Sequence, residues 1–192
     1  MKVLVAYASR HGATRGIAEK IGQTLAQQGL AATVAHVNEV GDPRGYDAFV
    51  VGSAAYAFHW LSDATAFVRR HRELLVSHPA WLFSSGPVGP DKVDKQGRDV
   101  LATTRPREWL ELTDAIRPRG EQVFFGAYDP DLPPAGLAER FMKFFMRLMP
   151  SVRGSLPSGD FRDWPAIEAW ASLIARELTD PAPAVDPQPV AA

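Results

Sequence analysis

The chain contains no cysteine among its 192 residues. This absence excludes disulfide bonds, zinc–thiolate sites, iron–sulfur clusters and cysteine nucleophiles, and it is compatible with a reducing compartment. Most thiol and metal chemistry is therefore excluded, and we expect no metal site.

Long apolar runs are also missing. Met1 and Lys2 are followed by the short apolar run at residues 3–7, which has neither the length nor the small-residue cleavage site of a signal peptide. No stretch reaches the ~18 apolar residues that a membrane span needs. We therefore expect a cytoplasmic protein that is neither secreted nor integral to a membrane.

Neither sign of charge dominates the chain. Its 21 Lys and Arg residues and 22 Asp and Glu residues give a net charge of −1, and no run of basic residues stands out. Nucleic-acid binding needs a positive field or a local basic patch, so a nucleic acid is not an expected partner.

Short apolar segments recur along the chain, at residues 2–7, 32–37, 47–52, 80–84 and 121–126. Each is nearly continuous in apolar residues, is rich in β-branched or aromatic side chains, and is bounded by turn residues. Parallel strands that are covered on both faces have this pattern. We therefore predict a five-stranded parallel sheet.

Segments with helical spacing separate these strands, at residues 14–28, 61–75, 106–116 and 165–178; the last two begin with a proline, as a first helical turn often does. The alternation predicts a three-layer, doubly wound α/β fold with right-handed crossovers. The ligand of such a sheet lies beyond the carboxyl ends of its strands. We expect the site just after the first, third and fourth strands.

The predicted elements fit one domain, residues 1–179, followed by a Pro/Ala-rich tail at residues 180–192 that we predict to be disordered. A polar insertion follows the fourth strand at residues 87–105. Two interpretations remain for it: a lid or partner-binding element, or a disordered surface loop.

The loop after the first strand reads Ser9-Arg10-His11-Gly12-Ala13-Thr14. Two hydroxyl residues and a glycine lead here into a helix N-terminus, where free N–H groups and the helix dipole favour a phosphate. Alternatively, Ser9 and Thr14 only cap the helix and Gly12 only makes the turn. The loop is neither a Walker A sequence nor a Gly-x-Gly-x-x-Gly fingerprint.

The loops after the third and fourth strands complete the predicted crevice. The first reads Ser53-Ala54-Ala55-Tyr56 and continues to Phe58, His59 and Trp60; the second reads Ser84-Ser85-Gly86. Small residues let a flat ring approach the backbone, and aromatic side chains can shield or stack on it. Alternatively, the aromatic residues pack the next helix and His59 is an ordinary loop histidine.

The loop after the first strand resembles the phosphate loop of flavodoxins, in which an aromatic residue is followed by Ser or Thr, a small residue, Thr, and then Ala. The matching residues are Tyr7, Ser9, Gly12, Thr14 and Ala18. The resemblance implies the flavodoxin strand order 2-1-3-4-5 and an FMN cofactor. It implies that Ser9 and Thr14 side chains and the N–H groups of residues 10–14 hold the FMN phosphate, whether or not Arg10 and His11 contact it directly.

The resulting FMN-binding residues are Ser9, Arg10, His11, Gly12, Ala13, Thr14, Ser53, Ala54, Ala55, Tyr56, Ser84, Ser85 and Gly86. The chain also departs from electron-carrier flavodoxins. The loop after the fourth strand has no tyrosine, and basic residues balance acidic ones near the site. Because charge near the ring tunes its electronics, this balance favours an enzyme over a carrier.

A helix predicted at residues 137–149 is basic on one face, with Arg140, Lys143 and Arg147, and rich in Phe and Met elsewhere. Core packing is one interpretation of this pattern. The other is peripheral contact with the inner face of a membrane, or an apolar entrance for a quinone.

As a whole, residues 1–178 resemble the menaquinone-dependent protoporphyrinogen oxidase branch of the flavodoxin superfamily. The resemblance rests on the loop at residues 9–15, on Tyr56 with His59, on the insertion, on the helix at 137–149 and on residues 159–164. It implies that FMN oxidises a porphyrinogen and that a quinone accepts the electrons, as in haem biosynthesis. The alternatives are an electron carrier for redox partner proteins and an interaction module that has lost its flavin; no catalytic acid or base is assigned.

Overall fold

The computed structural model describes residues 1–133 and 157–180. Its strands are β1 (Lys2–Ala8), β2 (Ala31–His36), β3 (Ala48–Tyr56), β4 (His59–Trp60), β5 (Ala80–Ser85), β6 (Gly120–Phe124), β7 (Ala127–Tyr128) and β8 (Gly159–Asp160). Its helices are α1 (Ala13–Gln27), α2 (Ser62–Arg70), α3 (Arg72–Ser77), α4 (Val100–Thr103), α5 (Trp109–Ile116) and α6 (Trp164–Thr179), with a short 3₁₀ turn at Pro43–Gly45.

The central sheet is parallel, in the order β2-β1-β3-β5-β6. Since β5 and β6 are the fourth and fifth parallel strands along the chain, the predicted order 2-1-3-4-5 is confirmed. Two short antiparallel pairings accompany this sheet: β4 folds back on β3, and β7 pairs with β8. Neither pairing follows from the apolar pattern of the sequence.

Both faces of the sheet are covered, which explains why its strands are continuously apolar. Val3 and Val5 of β1 pack on the face that α1 and α6 cover. The alternate residues Leu4 and Ala6 pack on the other face, under α2, α3 and α5. Burial of each large aliphatic or aromatic side chain stabilises the fold by ~1.5–3 kcal/mol.

Two predicted helices differ from the structure at their boundaries. The segment predicted as one helix at 61–75 is divided at His71, whose backbone leaves helical geometry at φ −105° and ψ 21° while its ring packs against Phe67 at 4.7 Å. Neither proline nor glycine marks this division. The helix predicted from Pro106 begins at Trp109, because Pro106 lies in a preceding turn that its carbonyl closes onto the Trp109 N–H.

The insertion at residues 87–105 is folded. Val93 pairs with Asp99 in an isolated bridge, and the side chain of Asp99 caps α4 by accepting from the Ala102 N–H at 3.0 Å. Helix α4 contacts β6, the strand at the edge of the sheet, and Arg105 bonds to Glu121 of that strand at 3.0 Å. The insertion thus covers a strand edge that would otherwise invite pairing with another chain.

Two of the predicted segments lie outside the described residues: the helix at 137–149 and residues 181–192 of the tail. Within residues 1–133 and 157–180, no helix has both the length and the apolar character required to cross a bilayer.

Candidate functional site

The carboxyl ends of β1, β3, β5 and β6 surround a cleft of about 380 Å³. Its lining consists largely of small, apolar and aromatic residues: Ser9, His11, Ala13, Thr14, Ala54, Ala55, Tyr56, Ala57, Ser85, Gly86, Val88, Gly126, Ala127, Tyr128, Asp129 and Leu132. The cleft lies at the predicted edge of the sheet. Such a mainly apolar cleft with a few polar groups is typical of a site for a flat cofactor.

One end of the cleft is the loop that leads into α1. Gly12 has a φ of +84°, a left-handed conformation that a glycine adopts without a steric cost, and its N–H donates to the Ser9 hydroxyl oxygen at 3.1 Å. Within the described residues, no side chain caps α1. The first-turn N–H groups are therefore available to an anion, which favours the phosphate interpretation over simple capping.

Cationic side chains near this loop differ in what they contact. The Arg10 guanidinium lies over the Tyr56 ring at 4.9 Å, so it connects the loop after β1 with the loop after β3. Arg15 instead bonds to Glu19, one turn further along α1, at 2.7 Å. Arg10 thus contacts Tyr56 of the cleft wall, although Arg10 is not itself among the lining residues.

Another arginine beside the loop, Arg162, is not among the residues predicted for the site. Its guanidinium forms a bidentate pair with Asp160, with distances of 2.7 Å from Nε and 2.6 Å from Nη2. The hydrogen bonds from Arg162 hold the pKa of the Asp160 carboxyl below its ordinary value. Only the family resemblance draws attention to residues 159–162. No local sequence pattern relates this segment to the loop after β1.

The loop after β3 forms another wall of the cleft. Ala54, Ala55 and Ala57 line it, and Tyr56 pairs with His59 across a tight turn. Trp60 is 4% exposed and donates from Nε1 to the Ser84 hydroxyl at 3.1 Å, so its role is packing. Phe58, by contrast, is 53% exposed at the tip of the turn.

His59 forms a close pair with Glu108. The His59 Nδ1 and Glu108 Oε1 atoms are 2.6 Å apart, and the Trp60 N–H donates to the other carboxylate oxygen at 3.2 Å. Burial acts to raise the pKa of Glu108, but hydrogen bonds to the carboxylate outweigh it, so that this pKa lies below its ordinary value. His59 is therefore held by a carboxylate and is not an isolated loop histidine.

Most of the predicted FMN-binding residues come together in the structure. Those that line the cleft are Ser9, His11, Ala13, Thr14, Ala54, Ala55, Tyr56, Ser85 and Gly86, and Gly12 lines an adjoining hollow. Ser53 and Ser84 lie buried beneath it, where their hydroxyl oxygens accept from the Leu61 N–H and from Trp60. Their side chains support the loops instead of lining the cleft.

The loop after β6 forms a further wall of the cleft, which is not among the walls predicted from the sequence. Gly126, Ala127, Tyr128 and Asp129 line the cleft from this side. Tyr128 provides an aromatic side chain that the loop after β5 lacks. The small residues after the fifth strand repeat the pattern seen after the third and fourth, and that repetition is the signal that could have identified this wall.

No metal centre is visible in the parts of the chain that the structure describes: residues 1–133 and 157–180 hold no group of three or more His, Asp or Glu side chains placed to bind an ion.

The family profile of the flavodoxin domain matches residues 4–149. The chain belongs to the flavodoxin domain family. This range includes every residue that lines the cleft. Family membership indicates a flavin cofactor and flavodoxin-type redox chemistry, and an uncapped helix start beside a mainly apolar cleft fits such a group.

Curated relatives match nearly the whole chain. The protoporphyrinogen IX dehydrogenase [quinone] of Escherichia coli (strain K12) is 29% identical over 185 residues, covering 94% of this chain and 97% of the relative. The protein of the same name from Escherichia coli O157:H7 matches with the same figures.

Solved structures support the fold. A flavodoxin from Streptococcus pneumoniae TIGR4 superposes with a TM-score of 0.54 at 14% identity, covering 92% of this chain and 99% of its own. Rubredoxin oxygen:oxidoreductase from Desulfovibrio gigas also gives 0.54, at 13% identity, over 92% of this chain and 36% of that longer protein. At these identities the likeness concerns the fold alone.

Proposed function

We propose that this protein is an FMN-dependent oxidoreductase that oxidises protoporphyrinogen IX and passes the electrons to a quinone, a step of haem biosynthesis. The observation that carries the proposal is the 29% identity to protoporphyrinogen IX dehydrogenase [quinone], over 94% of this chain and 97% of the relative. A match over nearly the full length of both chains suits a shared reaction better than a shared domain alone.

The residues at the cleft support FMN as the flavin. The N–H groups at the start of α1 and the hydroxyls of Ser9 and Thr14 would hold the phosphate, which riboflavin lacks. Ala54, Ala55 and the residues after β6 would flank the ring system. When bound there, FMN supplies the two-electron redox chemistry of the reaction.

The charge at the cleft suits an enzyme. Asp129 is the one carboxylate among the residues that line the described cleft, which His11 also lines. A carrier that works at low potential is expected to surround its flavin with negative charge, because such charge disfavours the reduced, anionic ring. The near-neutral cleft therefore supports an oxidase that accepts electrons from an organic substrate.

The proposed reaction balances without any further reactant. Conversion of the porphyrinogen to the porphyrin removes hydrogens in pairs, and each pair reduces one quinone to its quinol, so three quinones are consumed. The chain positions the reactants in a mostly apolar cleft, and no catalytic acid or base is assigned. Because quinones are membrane-soluble, we further propose a cytoplasmic protein that contacts the inner membrane face, with residues 137–149 as the predicted contact.

An anaerobic assay tests this function. FMN-loaded protein is mixed with protoporphyrinogen IX and a naphthoquinone, and porphyrin fluorescence is followed against flavin-free and protein-free controls. We expect a rate well above both controls. A Ser9→Asp variant, which sets a negative charge beside the phosphate, is expected to lose FMN and rate, whereas Ser62→Asp at the exposed start of α2 is not.

Bound FMN without any excess rate would overturn the substrate assignment. That result would move the interpretation to an electron carrier serving redox partner proteins.

A further inference from the structure

The turn between β3 and β4 is built from residues that rarely adopt its backbone. Ala57 and Phe58 have φ angles of 49° and 64°, both in the left-handed region. A two-residue hairpin turn with two left-handed residues usually contains Asn-Gly or Gly-Gly, because a Cβ atom is unfavourable there. The turn is therefore strained, and such strain persists where surrounding contacts enforce it.

The contacts that enforce this turn come from two consecutive residues just before α5. The Arg107 N–H donates to the Phe58 carbonyl oxygen at 2.8 Å. The Glu108 carboxylate contacts the imidazole of His59 at 2.6 Å and accepts from the Trp60 N–H at 3.2 Å. Together these bonds hold both the tip and the returning strand of the hairpin.

Glu108 is directed to the hairpin instead of to its own helix. It occupies the residue before the first turn of α5, where a short polar side chain usually caps the helix, yet its side chain makes no capping bond. Its side chain is only 20% exposed. A partly buried carboxylate that bonds to two consecutive residues of another element, His59 and Trp60, is placed to fix that element.

The hairpin also shapes the proposed flavin site. Ala57, one of the strained residues, lines the cleft together with Ala54, Ala55 and Tyr56. A relaxed turn would move this wall. The contacts of Glu108 therefore reach the cleft through the backbone of the turn, with no need for the carboxylate to touch the ligand.

We propose that Glu108 is a positioning residue that holds the strained Ala57–Phe58 turn in the conformation that forms the flavin-facing wall of the cleft. The inference deepens the proposed function and rests on it for the identity of the ligand. It goes beyond ordinary stabilisation because it predicts that the effect of Glu108 depends on the strain in the turn.

A double-mutant cycle tests the proposal. Glu108→Ala is made in the native background and in an Ala57→Asn/Phe58→Gly background, whose turn sequence favours the same backbone without help. We expect Glu108→Ala to weaken FMN binding about tenfold in the native background and less than about twofold in the second. Glu108→Gln keeps an acceptor oxygen, so in the native background we expect its loss of FMN affinity to lie between about twofold and about tenfold. Glu111→Ala is the control, because its carboxylate bonds to Arg69, away from the hairpin.

Amide hydrogen exchange of residues 57–61 in flavin-free protein gives a second readout. We expect Glu108→Ala to speed exchange there in the native background only. Equal losses of FMN affinity in both backgrounds, or unchanged exchange, would overturn the positioning role. Failure of the native protein to bind FMN would instead count against the proposed function, while hydrogen exchange would still decide whether Glu108 holds the turn.

Discussion

Arg162 donates a hydrogen bond of 3.1 Å from Nη1 to the carbonyl oxygen of Ala13, although the two residues are 149 positions apart in the chain. The guanidinium also lies over the Trp164 ring at 4.4 Å. The segment that leads into α6 is thereby attached to the first turn of α1, at the edge of the proposed phosphate site. The planar fork of arginine pairs with Asp160 through two parallel bonds while it contacts Ala13 and Trp164, a geometry that the ammonium of a lysine does not match.

Replacement of Arg162 should loosen the start of α1. We expect Arg162→Met to lower the free energy of unfolding by ~1.5–3 kcal/mol, the contribution of a charge-assisted hydrogen-bond set, and to weaken FMN binding several-fold. Arg162→Lys should recover little of either. Denaturant unfolding and FMN titration measure the two effects, with Arg176→Met near the end of α6 as the control. A variant with native stability and FMN affinity would show that the attachment is unimportant.

A methyl group at Gly16 should likewise loosen the start of α1. A Cβ atom there would lie 2.5 Å from Arg162 Nη1, and the guanidinium is fixed by its partners. Gly16→Ala should therefore lower the melting temperature, although alanine in a helix is intrinsically favoured over glycine by ~1 kcal/mol. Gly45→Ala, which meets open space, is the control. A higher melting temperature for Gly16→Ala would contradict the described packing.

The Arg162 and Asp160 pair should make stability depend on pH. Because Arg162 lowers the pKa of Asp160 in the folded state, the ionised carboxyl stabilises the fold above its unfolded pKa of about 3.9. The contribution disappears as the pH falls through the lowered folded pKa. Asp160→Asn should thus be less stable than the native protein at pH 7, and the difference should vanish in acid. A difference that grows below pH ~4 would contradict this assignment.

Gly52 in β3 provides a test of the core. A Cβ atom at this position would lie 2.1 Å from the Phe83 ring of the neighbouring strand, and both residues are buried. Gly52→Ala should cost ~1–3 kcal/mol or more through overpacking. A Gly52→Ala/Phe83→Leu double variant should recover part of that loss, since leucine leaves room for the methyl group. Additive losses in chemical denaturation would show that the clash is not with Phe83.

The sheet could be predicted because its signals are local. Each parallel strand is a short apolar run between turn residues, and alternation with helices fixes the edge at which a ligand binds. The β3–β4 hairpin could not be predicted, because Ala57 and Phe58 carry no turn signal and the contacts that hold them come from residues 107–108.

The site was partly predictable for the same reason. The loop at residues 9–14 has its chemistry in one continuous segment, whereas Tyr128 and Arg162 reach the site through long-range packing. Ser53 and Ser84 are at the predicted strand ends, but the side chains of adjacent residues in a strand point to opposite faces. Their hydroxyls consequently bond beneath the cleft.

The most direct test of the flavin site is to compare the binding of FMN and riboflavin to flavin-free protein by fluorescence titration. We expect FMN to bind ~100-fold more tightly or better, because only FMN can engage the N–H groups at the start of α1 and the Ser9 and Thr14 hydroxyls. Ser9→Ala should reduce that preference without changing riboflavin binding. Equal affinity for the two ligands, or no binding of either, would contradict a phosphate-anchored flavin in this cleft.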